Sequence, residues 1–148
     1  MIRMATAAAV LVLGLAASGM ATAADRISDE VAATEQQIAA AEADYDQQAY
    51  QQVVETLAEA VDPDVYATLP EDVQYEALGL YARSLYRLQA FEEAHDAFVD
   101  LTTNPNATPA DWALRADTAA RIGDDDDAAL AQAELEDDQG DDFVSIVA

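Results

Sequence analysis

His95 is the one histidine in this chain, and cysteine is absent. Those two counts remove most side-chain chemistry at once. There can be no disulfide, no thiolate nucleophile and no metal site that needs two imidazoles. No serine or second histidine is arranged near His95 in sequence, so a partly exposed surface residue is expected there rather than a general base. Carboxylates are plentiful, but their spacing is wrong for calcium. A calcium loop needs spaced oxygens around a glycine turn and a closing Glu. Neither Asp124 to Asp127 nor the run from Glu136 to Asp142 supplies that pattern. No catalytic residue, metal ligand or cofactor is expected. The cations are few and of one kind: all six basic residues are arginine, and lysine is absent. Guanidinium pairs with carboxylate through a planar fork, which makes these arginines the side chains best suited to recognition.

Against the arginines stand 30 acidic residues in a chain of 148, for a formal charge of −24. A nucleic-acid partner is excluded on that ground, because phosphate binding needs a basic surface that releases counterions. Anionic membrane surfaces are disfavoured for the same reason. The charges also repel one another within the fold, and salt screens that repulsion over ~10 Å at 0.1 M. Moderate salt is therefore expected to raise the melting temperature. A melting temperature that fell between low salt and about 1 M NaCl would count against this.

The first residues read as an address. Arg3 precedes the apolar run ATAAAVLVLGLAA, and small residues follow. Ala21-Thr22-Ala23 fits the small-x-small rule for cleavage, so residues 1–23 are expected as a signal peptide, with the mature chain starting near Ala24. The run is shorter than the ~20 residues of a spanning helix. A periplasmic location follows, with secretion as the alternative. Residues 24–137 form the expected folded domain, and 138–148 an acidic, flexible tail.

The remainder reads as helix throughout: alanine is plentiful, glycine scarce, and alternating β-branched runs are missing. All four prolines lie between periodic segments. A first helix is expected from Ser28 as N-cap, with Ile27, Val31, Thr34, Ile38, Ala41 and Tyr45 on one stripe. A second runs from about Gln47 to Asp62, with Val53, Leu57 and Val61 inward. A third opens near Pro70 and carries Leu78, Tyr81, Ala82, Leu85 and Leu88. A fourth starts at Phe91 and includes Ala94, Phe98 and Leu101. Thr108-Pro109 opens a fifth, which Gly123 stops, with Trp112, Ala116, Ala119 and Ile122 near one face. A sixth is expected from about Asp125 to Glu136 on the weak stripe Ala128, Ala131, Leu135.

Short helices in pairs prompt a search for a period. A shift of 34 places Leu78 on Trp112, Ala82 on Ala116, Leu88 on Ile122 and Ala94 on Ala128. Leu78-x2-Tyr81-Ala82-x2-Leu85 followed by Ala94-x3-Phe98 and Pro105 resembles the tetratricopeptide repeat (TPR). An earlier half-match, Val53-x3-Leu57-x2-Ala60, sits out of phase. The resemblance departs at Arg115, where the family has Leu, and at Asp125 and Gln132, where it has aromatics. It implies an all-α fold of antiparallel helix pairs stacked as a short TPR-like solenoid.

It also implies a concave groove lined by the first helix of each pair. Carried over to this chain, the groove residues are Gly79, Arg83, Tyr86 and Arg87, then Ala113, Asp117, Ala120 and Arg121. Arg83, Tyr86, Arg87 and Arg121 are the candidate partner-binding residues, able to hold a carboxylate or an acidic peptide segment. A second reading stays open, in which these arginines pair with acids of the chain such as Glu76, Glu92 and Asp117. The function expected is that of a non-catalytic scaffold or adaptor in the cell envelope. Its alternative is an acidic cation-binding or solvation protein of the periplasm.

Overall fold

Thr22 opens the first helix in the structure, a computed structural model that describes residues 22–144 and the side chains of 22–137. All but the last two residues of the expected signal peptide lie outside the described residues. Helix α1 (Ala23–Asp46) starts earlier than Ser28, because Thr22 and Asp25 cap it reciprocally. The Thr22 hydroxyl accepts from the Asp25 amide at 3.2 Å, and the Asp25 carboxylate accepts from the Thr22 amide at 3.0 Å. Thr34, Ile38 and Ala41 are buried on its stripe, whereas Ile27 stays 48 % exposed, near the start of the helix.

The other elements are α2 (Tyr50–Leu57), α3 (Pro63–Tyr66), α4 (Glu71–Arg87), α5 (Phe91–Leu101), α6 (Pro109–Ile122) and α7 (Asp125–Val144). The described residues are all helix and turn, with no strand. None of these helices is long and apolar enough to cross a membrane. The four-residue α3 was not expected. Asp62 makes it by accepting from the Asp64 amide at 3.1 Å, and Pro63 presets its first turn. At the other end, α7 runs past Glu136 to Val144, so the segment 138–144 is helical where a flexible tail was expected.

Three turns close the hairpins α1–α2, α4–α5 and α6–α7. Each has a left-handed residue: Gln48 at φ 62°, Gln89 at φ 61° and Gly123 at φ 81°. Gln89 and Gly123 are separated by the repeat length, while Gln48 and Gln89 lie further apart because α3 is inserted between α2 and α4. That insertion is why the early half-match is out of phase.

α4 is the central element, buried on two faces. Val73, Ala77 and Leu80 join Ile38, Ala41, Val53 and Leu57 of α1 and α2 in one apolar cluster. Leu78, Ala82 and Leu85 join Ala94, Phe98 and Leu101 of α5 in another. Each large side chain so buried contributes ~1.5–3 kcal/mol. Leu88 and Ile122, expected to extend apolar stripes, stay 39 % and 36 % exposed at the turns.

Candidate functional site

α4 and α6 run in the same direction and are joined by long polar side chains. Near their starts, the Tyr75 hydroxyl donates to Asp111 at 2.8 Å. Asp111 is almost fully buried and also accepts from the amide and hydroxyl of Thr108, the residue that caps α6. Arg83 completes the shell, with Nη1 donating to Asp111 at 3.3 Å. A buried carboxylate without such donors would cost several kcal/mol, so Arg83 is committed to this joint. It folds back over Gly79, where an added Cβ would lie 2.8 Å from Nη2. Glycine at that position makes room for the guanidinium.

Near the far ends of the two helices, Asp117 accepts from the Tyr86 hydroxyl at 2.8 Å and from Arg121 Nε at 2.6 Å. Burial opposes ionisation of Asp117, but the bonds from Arg121 and Tyr86 outweigh it and hold the carboxyl below its ordinary pKa. The same bond to Asp117, and then burial, push the Tyr86 phenol up. The Arg121 guanidinium carbon sits 4.6 Å from the Phe91 ring centroid and 5.8 Å from that of Tyr86, within cation–π range. The two rings meet edge to face at 5.8 Å.

Arg87 differs from its neighbours. It is exposed, and it forms no ion pair among the described residues. The Tyr45 hydroxyl, with Tyr50 and Tyr86 nearby, raises its pKa. Tyr45 and Tyr50 themselves pack edge to face at 5.2 Å. The result is a band across the turn end of the molecule: Tyr50, Tyr45, Arg87, Tyr86, Phe91 and Arg121. Of the four candidate residues, the structure brings Tyr86, Arg87 and Arg121 into this band. Arg83 lies a turn below, on the buried Asp111. Among the remaining groove positions, Ala113, Asp117 and Ala120 line an alanine-rich cleft of about 490 Å³ that also takes in α7 residues.

Sequence reasoning missed the tyrosines of α1 and α2 in this band, since the helices that carry them are far from Arg87 in the chain. It also missed a second polar cluster. His95 is buried rather than partly exposed, with Nε2 at 3.6 Å from Asp127 and 3.9 Å from Asp124. Arg115 is buried too. It forms a two-pronged bond with Asp127, donates to the Thr102 hydroxyl at 2.9 Å and lies over the Trp112 ring. This bond holds the Asp127 carboxyl below its ordinary pKa. The available signal was Arg115 itself, a charge on the expected inner face of a helix. No set of three or more His, Asp or Glu side chains placed to hold a metal ion occurs among the described residues.

Comparison of the chain with protein-family models, with curated proteins and with solved structures finds no match.

Proposed function

We propose that this chain is an exported, non-catalytic adaptor of TPR-like helix pairs that holds an acidic segment of a partner protein at the turn end of α4 and α6. The observation that carries the reading is Arg87. In a chain with 30 acidic residues it is an exposed guanidinium without an ion pair among the described residues. Tyrosines flank it, and Arg and Tyr are the residue types that dominate binding energy at protein interfaces. A partner carboxylate would find a bidentate donor in Arg87 and phenol hydroxyls beside it. Arg121 adds positive charge further along the band, although Asp117 already balances it. The TPR-like reading draws support from the repeat-length spacing of the Gln89 and Gly123 turns. Full burial of Ala82 and Ala94, which lets helices approach closely, supports it too. Export, with the periplasm as destination, rests on the pattern of residues 1–23.

The test is affinity capture from envelope extract with the wild-type chain beside Arg87→Glu, both checked for helix by circular dichroism. A partner held by the first and lost by the second supports the proposal. Equal capture, or no specific partner, overturns it. Arg83→Glu is a poor probe, because it places a second carboxylate against buried Asp111. The alternative, an acidic cation-binding protein, is read on the same material. Saturable stabilisation by Ca²⁺ that Na⁺ at equal ionic strength does not reproduce would favour it.

A further inference from the structure

Away from that band, the insertion between α2 and α4 opens a small cleft against α5. Val61, Pro63, Tyr66 and Leu78 give it apolar walls, Asp100 and Thr103 sit at its edge, and its volume is about 280 Å³. The walls are held in place. Gln74 of α4 donates to the carbonyls of Tyr66 at 2.8 Å and Leu69 at 3.0 Å, which pins α3 to the start of α4. Asp100 is exposed and forms no ion pair among the described residues. Asp100 and Tyr66 line the same cleft, and burial, then the charge of Asp100, raise the pKa of the Tyr66 phenol. Apolar walls with one free carboxylate at the edge suit a cation carried on a hydrocarbon stem, since the stem buries while the charge stays at the wet edge. The chain has no lysine of its own to fill the cleft. Its strong negative charge also concentrates cations at the surface.

We infer that this cleft binds a primary alkylammonium group, with the methylene stem between Val61, Pro63 and Leu78 and the ammonium at Asp100. The ligand is either the side chain of a partner's lysine or a free alkylamine. The proposal is independent of the Arg87 band and stands if that reading fails.

The test is calorimetric titration of the full chain with n-pentylammonium and with methylammonium at equal ionic strength. Pentylammonium is expected to bind about tenfold tighter or more, because its added methylenes are buried. Asp100→Asn should weaken it about tenfold. Asp96→Asn removes an equal charge one turn earlier on α5, outside the cleft, and should leave the affinity unchanged. Val61→Ser should reduce the preference for the longer amine. Circular dichroism confirms that each variant folds. Equal affinity for the two amines would overturn the proposal, because it shows that no stem is bound. Equal loss in Asp96→Asn and Asp100→Asn would also overturn it, because the attraction is then that of the whole surface. A third titrant, N-acetyl-lysine methylamide, separates the sources. Binding comparable to pentylammonium supports a partner's lysine as the ligand, and binding of the free amine alone supports a small-molecule ligand.

Discussion

The joint between α1, α2 and α4 is closed by hydrocarbon, and the joint between α5, α6 and α7 is closed largely by ions. In the first, Ile38, Val53, Leu57, Val73 and Leu80 interlock with alanines between them. In the second, α6 buries Arg115, Thr118 and Ala119, and Arg115 pairs with Asp127 of α7. Among the described side chains of α7, Ala131 is the buried apolar one. Hydrocarbon burial is non-directional and insensitive to pH, so the first joint tolerates volume-conserving change. An ion pair is worth much less on balance than its contacts suggest, because desolvation offsets the attraction, yet removing one partner is costly. The two halves should therefore fail differently.

The largest effect is expected in the hydrocarbon region that α4 shares with α5. Phe98 is fully buried there, and Phe98→Ala should destabilise the fold by about 4 kcal/mol in urea unfolding. A cost under about 1 kcal/mol would mean that this core can collapse around the gap, which would weaken the contrast. Next comes Arg115→Ala. It leaves Asp127 without its main donor, and a cost of about 2 kcal/mol is expected. That lies below the range for a sealed pair because the Asp127 side chain keeps 16 % exposure. Hydrogen exchange should quicken in α7 while α1 and α2 stay protected. Equal quickening everywhere would show that the two joints open as one.

Acid sharpens the same comparison. The folded pKa of Asp127 is depressed by Arg115. Its contribution is thus present above the ordinary carboxylate value of about 3.9 and is lost as pH falls through the lower folded value. The stability gap between wild type and Asp127→Asn should be full at about pH 6 and should close toward about pH 2. A gap that did not change with pH would remove the ionic account of this joint. The smallest effect is a gain. Ser84 lies on the α4 stripe of Ala77 and Leu80, and its buried hydroxyl has no hydrogen-bond partner among the described residues. Ser84→Ala should stabilise by about 1 kcal/mol, since it removes an unsatisfied polar atom from an apolar joint.

The same contrast explains what could be read from the residues alone. Apolar periodicity placed α2, α4, α5 and α6, because a stripe at helical spacing has one physical use. Thr108-Pro109 and Gly123 marked both ends of α6 for reasons local to the backbone. The α4 face made by Val73, Ala77 and Leu80 was harder to see, since a helix buried on two sides has no single stripe. Of the Arg115–Asp127–His95 cluster only Arg115 gave a signal, and its partners, like the tyrosine band around Arg87, were not legible. Polar pairings depend on which helices come to lie side by side, and no local pattern encodes that. α3 was hidden because Asp62-Pro63, read as the stop of α2, is instead the start of α3, and α2 already ends at Leu57.

The three left-handed turns at Gln48, Gln89 and Gly123 all emerge at the end where Tyr45 approaches Arg87 and Tyr86 reaches Asp117. A short epitope spliced into each turn would therefore be presented three times, side by side and facing one way. A bivalent antibody meeting such a display would find its second binding site already within reach of the first. Its avidity could then exceed the affinity of a single site by about 10²–10⁴-fold without any new contact. The helices behind the turns would serve as a ruler, setting the spacing between copies by the distance between neighbouring hairpins.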